Sequence, residues 1–129
     1  MLTLTLVAAV LAGLLHVAFF VMESVLFARP AVHRRFGTAT ADVPAVRPWA
    51  LNQGWYNLFL ALGAFAGVAL AAGGNEDVGL ALVLLACGSM VAAALVLLVT
   101  SRGSMVRPAA IQGTFALVAV VGALVVLAA

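Results

Sequence analysis

The chain has 129 residues, 67% of them hydrophobic and only 8% charged, whereas soluble globular domains carry roughly 25% charged residues, so a water-soluble fold is excluded. Length admits a single domain, and the formal charge of +2 arises from six basic residues, all arginine, against four acidic ones. In so apolar a chain these charges report membrane orientation and not nucleic-acid binding, while one cysteine, Cys87 in "LLACGSMVAA", rules out an intrachain disulfide or a cysteine zinc cluster.

Crossing the hydrocarbon as a helix takes about 20 apolar residues. The first such run extends from about residue 2 to 27. It begins "MLTLTLVAAVLAGLLHVAFF", with no positive leader and with its arginines following it, which predicts a retained membrane helix and not a signal peptide. Within "HVAFFVME" it carries His16 and Glu23. Seven residues are nearly two α-helical turns, so both are expected on one face, about 10 Å apart along the axis. Ionisable groups in a span are rare and costly, and each is a functional candidate by default.

Residues 28–49, "ARPAVHRRFGTATADVPAVRPW", are expected to form a partly structured loop with His33 solvated. "HRRFG" has the make-up of a juxtamembrane basic patch facing anionic headgroups, although a topology signal with some lipid contact is the simpler reading.

A second span, about 50–72, opens with "NQGWYN" at 52–57. Asn52 and Gln53 fall in its first turn and Asn57 about 10 Å in. Asn52 with Tyr56, and Gln53 with Asn57, are i,i+4 neighbours and predict a polar stripe over two turns. Trp49, Trp55 and Tyr56 sit where an aromatic belt is expected. "AGGNED" separates this span from a third, about 78–100, and "SRGSMVRP" separates that from a fourth, about 108–128. Pro108 suits a first helical turn. Gln112, followed by Gly113 and Thr114, lies about 6 Å into the fourth span.

No period-two alternation supports a β-barrel. The expected fold is all-α: one domain over residues 1–129, an integral membrane bundle of four transmembrane helices. Arg29, Arg34, Arg35 and Arg47 fall in the first loop, Arg102 and Arg107 in the third (101–107), and Glu76 and Asp77 in or beside the second. The positive-inside rule then places loops 28–49 and 101–107 in the cytoplasm, both termini outside, and the protein in the cell membrane.

Three spans thus place polar groups in the same half of the bilayer, and an unsatisfied amide or carboxylate there costs several kcal/mol. A shared network is expected, with Glu23 accepting from Asn52, Gln53 or Tyr56, and with Asn57 and Gln112 below His16. Abundant glycine and alanine allow close helix approach. The simpler alternatives are a Glu23 that snorkels to water and a network that is structural only.

The motifs "HVAFFVME", "RRFG", "NQGWYN" and "QG" (Gln112, Gly113) resemble those of a family of small four-span membrane proteins known as domain of unknown function 1304. The resemblance covers nearly the whole chain. It implies a common four-helix fold and a shared cluster at His16, Glu23, Asn52, Gln53, Tyr56, Asn57 and Gln112, and it carries no activity.

Three functions compete. The first is an intramembrane pocket for a small hydrophobic molecule, with His16 and Glu23 as catalytic acid and base in isomerase-like chemistry and the amides orienting the ligand. The second is a proton-coupled exporter; small multidrug resistance transporters also have four spans and a glutamate in the first helix. Here, however, the glutamate lies near the cytoplasmic helix end and is accompanied by histidine and several amides, and the arginine bias fixes one orientation, whereas dual-topology members of that group need a weak bias. The third is a structural or accessory subunit, assembling with itself or with another membrane protein through small-residue faces. One histidine and one carboxylate are too few for a closed zinc site. His16 could serve as the single axial ligand of a haem, and the sequence otherwise leaves the cofactor undetermined. Phosphate-loop, H-E-x-x-H and nucleophile-elbow motifs are absent, and the partners implied are membrane lipid and a hydrophobic ligand, with no nucleic acid.

Overall fold

A computed structural model describes all 129 residues. The fold is all-α. Helix α1 (Leu2–Phe20) runs into a π-helical turn, Val21–Val25. A short helix, α2 (Pro30–His33), continues as a 3-10 turn, Arg34–Phe36, and a second 3-10 turn, Thr40–Asp42, leads into α3 (Val43–Ala72). Helices α4 (Glu76–Thr100) and α5 (Val106–Leu127) complete the chain.

Four stretches are long and apolar enough to cross a membrane: Leu2–Val25, Thr40–Ala72, Glu76–Thr100 and Val106–Leu127, with mean hydropathies of 2.5, 1.6, 2.8 and 2.3. The expected four spans are therefore present, in the expected order. The main departure is the start of α3, at Val43 and not near Ala50. Pro44 occupies the first turn, where a missing N–H costs nothing, and its fixed φ favours helix entry. Pro48 lies inside the helix, but its lost hydrogen bond involves only a carbonyl near the exposed helix start.

The turns follow from helix-end chemistry. After α3, the Gly74 N–H bonds Ala71 O at 3.3 Å and the Asn75 N–H bonds Leu70 O at 2.9 Å. This is the Schellman arrangement, which requires a left-handed residue at Gly74, whose φ is +94°. After α4 the same pattern recurs, from Arg102 to Val99 O and from Gly103 to Leu98 O, both at 3.2 Å. There the left-handed position belongs to Arg102, with φ +50°, a conformation that only a minority of non-glycine residues adopt. Pro108 falls in the first turn of α5, as expected.

The chain divides into two compact units, Met1–Leu15 with Leu60–Ala129, and His16–Phe59. In the first, the helices meet through small residues. A Cβ on Gly67 would stand 2.7 Å from the carbonyl oxygen of Gly79, and one on Gly79 would stand 2.6 Å from that of Gly67. Backbones of α3 and α4 are thus in direct contact there. Gly13 lies under the Phe65 ring, Gly122 under Thr5, and Gly113 beside Ala94. These contacts link α1 to α3, α1 to α5 and α4 to α5, and with the α3–α4 contact they close a four-helix ring.

The core of this unit is made of Ala8, Ala9, Ala12, Ala64, Leu80, Val83, Ala86, Cys87, Met90, Ala116, Ala119 and Ala123. Eight of these twelve are alanine, so the interior holds the smallest apolar side chains. Apart from Leu80, Val83 and Met90, many of the larger ones point outward: Leu11, Leu62, Leu85, Leu95, Val118 and Leu124 are all exposed. In water this would leave an apolar surface far beyond what a soluble monomer tolerates. In lipid it is favourable, because tails solvate leucine while small residues let backbones approach. The protein is a multi-pass membrane protein.

Candidate functional site

Four polar side chains are buried in the chain: Thr5, His16, His33 and Asn57. Three of the four belong to the His16–Phe59 unit, which also holds Glu23, so the chemistry concentrates there.

On α3 the buried positions are Ala50, Gly54, Asn57, Ala61, Ala64, Gly67 and Ala71. Their spacing of three or four residues is one face of an α-helix. Asn57 is in phase with this small-residue stripe and is its only polar member. The side chain is 7% exposed, and its Nδ2 donates a 2.7 Å hydrogen bond to Glu23 Oε2. Glu23 is half-buried, and this bond joins residues 34 positions apart.

Three local features set up this pairing. The first is the π-helical turn, in which the Leu26 N–H reaches back to Val21 O at 2.9 Å. That bond spans five residues where an α-helix spans four, and such turns re-aim the side chains within them. The α-helical estimate of a common face for His16 and Glu23 therefore does not carry through residues 21–25. The second is Gly54: a Cβ there would run into Ser24 Oγ and lie 3.1 Å from both Glu23 Cβ and the Ser24 backbone nitrogen. The turn thus rests on bare backbone, with Asn57 one helical turn further along. The third is Ser24, whose Oγ donates to the carbonyl of Leu51 at 3.1 Å. Ser24 was not among the sequence candidates, and Gly54 was expected only as one of the glycines that allow close helix approach, a role it fills here. The small-residue phase of α3, which isolates Asn57, was the signal that could have tied Gly54 to this pairing.

His16 is fully buried and continues the buried stripe of α1 (Thr5, Ala8, Ala9, Ala12). Its ring meets Phe19 edge-on, with centroids 5.4 Å apart. Asn52, Gln53 and Tyr56 are exposed, and the hydrogen bond that Glu23 was expected to accept from one of them comes from Asn57. Steps of one or two residues from Gly54 turn them about 100° or 200° away from the buried stripe. Tyr56 and Trp55 join a ladder of rings instead. Phe20 and Trp55 are in edge contact at 5.1 Å, and Trp55 and Tyr56 lie 6.0 and 6.4 Å from Phe59. Gln112 belongs to the other unit, half-buried on α5 beside Gly113.

His33, expected to be solvated, is fully buried. Its Nδ1 lies 2.8 Å from Thr38 O, and because a carbonyl only accepts, Nδ1 carries the proton. The Thr38 N–H returns a 3.1 Å bond to His33 O. Pro30 opens this turn, and Gly37, with φ +70°, closes it. Phe27 and Phe36 pack at 6.0 Å, and the His33 ring lies 6.5 Å from Phe27. The segment thus has a small core of its own. Proline at a helix start and glycine seven residues later were its sequence signature.

A groove of about 230 Å³ lies on the first unit between α4 and α5, lined by Val91, Ala94, Leu98, Ala109, Gly113 and Leu117 among others. Its walls are apolar and include none of the expected site residues. No group of three or more His, Cys, Asp or Glu side chains converges anywhere in the chain.

Chemically, the arrangement offers a carboxylate and an amide fixed against each other, a buried imidazole in the same unit, and an exposed aromatic surface nearby on the same helix. Comparison with curated proteins and with solved structures returns no match. The family model described as "Protein of unknown function (DUF1304)" matches residues 10–124, a stretch containing Glu23, Asn57 and every other residue of this unit, and the chain belongs to that family.

Proposed function

We propose that the protein binds a small hydrophobic, lipid-soluble molecule whose single polar group is received at Glu23 and Asn57. The observation that carries this reading is the 2.7 Å bond from Asn57 Nδ2 to Glu23 Oε2, in a chain where every other residue on that α3 stripe is alanine or glycine. A carboxylate in a span is expensive, and sites of this kind mark binding or proton transfer. A carboxylate has two oxygens and several acceptor positions; Asn57 occupies one and orients the group, leaving the rest for a donor on the ligand. His16 and Glu23 are then the catalytic acid and base of an isomerisation in which a proton leaves one carbon and returns at another, with no redox partner required. Tyr56, Asn52 and Gln53 lie toward the surface, where they suit a ligand entering from the lipid.

The distribution of arginines supports a cytoplasmic side for the connections between the first and second spans and between the third and fourth, both termini outside, and residence in the cell membrane.

The test is mass spectrometry of organic extracts from the purified protein, wild type against a His16→Ala, Glu23→Gln double variant. A small molecule retained by the wild type and lost from a folded double variant is the expected result. No retained molecule, together with unchanged stability of the double variant, would remove the proposal. A purely structural role is the second reading, favoured by the fact that Asn57 already satisfies part of the Glu23 carboxylate; it predicts a large stability loss and no retained molecule.

A further inference from the structure

We propose that the segment Arg29–Thr38 is a headgroup-binding surface for an anionic phospholipid, with Arg34 and Arg35 taking the phosphate and Phe36 seated against the glycerol and upper acyl chain. This is independent of the reading of Glu23 and Asn57. The segment is tethered to two membrane spans, one ending at Val25 and the next beginning at Thr40. At no more than about 3.6 Å per residue, Arg29 and Arg35 both stay within reach of the headgroup layer.

Arg29, Arg34 and Arg35 are exposed, and no carboxylate pairs with any of them. The acid nearest in sequence on the following turn, Asp42, is exposed as well. Uncompensated guanidinium groups beside a membrane attract anionic lipid, and their planar donor forks match phosphate oxygens.

Charge alone does not separate a lipid from a soluble phosphate, but Phe36 does. It follows the two arginines directly, is 37% exposed, and is held in place by its contact with Phe27 at 6.0 Å. An exposed fixed phenyl among cations fits a partner with a charged head and an apolar body. The turn is also pre-shaped: the paired bonds between His33 and Thr38 and the left-handed Gly37 fix it. Little ordering is therefore lost on binding.

The test uses the full chain in detergent, titrated with phosphatidylglycerol or phosphatidylcholine of matched acyl chains and read by native mass spectrometry. The wild type is expected to prefer phosphatidylglycerol by about tenfold or more. Arg34→Gln with Arg35→Gln should cut that preference to about twofold, while Arg102→Gln with Arg107→Gln should leave it nearly intact. Phe36→Ser should weaken both lipids alike, and glycerol phosphate should not compete. Equal losses in the two double variants, or competition by glycerol phosphate as strong as by lipid, would overturn the proposal. Restoration of the preference by Arg34→Lys with Arg35→Lys, alongside an unchanged helical circular-dichroism signal in the Gln variant, separates lost charge from lost fold.

Discussion

The two units of this chain bury opposite things. The unit formed by Met1–Leu15 and Leu60–Ala129 buries alanine, glycine and a few larger apolar side chains, with Thr5 as its one buried polar residue, bonded back to Met1 O at 3.2 Å. The His16–Phe59 unit buries two histidines and an asparagine, and holds a carboxylate half inside. Lipid supplies no hydrophobic force between helices, so the first unit is held by close backbone packing. The second is held by directional bonds, which offset part of the cost of its desolvated polar groups. One unit is thus sensitive to added volume, and the other to lost donors and acceptors.

That difference can be broken or sharpened at five positions. The largest effect is expected where backbones touch: Gly79→Leu forces α3 and α4 apart and should cost more than about 3 kcal/mol, the upper end for overpacking, read as loss of folded protein in mixed-micelle unfolding. Next is Leu85→Asp, at a position 70% exposed. If that face meets lipid, insertion should be disfavoured by about 3 kcal/mol, measured as failed membrane integration; a water-facing site would tolerate the change.

Third is Asn57→Leu. It leaves the Glu23 carboxylate short of a donor and should destabilise by about 1–3 kcal/mol. In a Glu23→Leu background the same change should be nearly neutral, so a double-mutant cycle should show coupling of about 1 kcal/mol or more. Additivity would mean that the bond does not hold the unit together. Smallest is Ser24→Ala, which removes one hydrogen bond to Leu51 O and should cost about 0.5–1 kcal/mol. Gly54→Ala, although it adds only one carbon, should exceed Ser24→Ala, because the new methyl collides with that same turn.

Much of the architecture was legible because membrane spans are specified by length and hydropathy alone. Four apolar runs, the breakers between them and Pro108 gave the helices with ends mostly within a few residues. Glu23 and Asn57 were legible as polar groups in greasy helices. Their pairing was not, since "NQGWYN" offers five polar or aromatic candidates and only the phase of Ala50, Gly54, Ala61 and Ala64 selects Asn57. The π-helical turn escaped because nothing in "VMESV" marks a widened hydrogen bond; it is fixed by contacts with Gly54 and Leu51, far off in sequence. The folded loop escaped for a different reason. Its composition is polar and basic, and only Pro30, Gly37 and the apolar Phe27 and Phe36 betray that His33 has an interior to enter.

The π-helical turn at Val21–Val25 has a consequence for how this protein tolerates change. A widened turn contains one residue more than the α-helix needs. Removing Val21, Met22 or Ser24 is expected to let the helix close into ordinary i→i−4 bonds and span the membrane as before, with every remaining side chain still present. Glu23 would then face a different direction, and Asn57 would have lost its partner without either residue being altered. The sensitive variable in this stretch is the count of residues, so indels and not substitutions are the changes that separate a chain with the Glu23–Asn57 pairing from one that keeps only its fold.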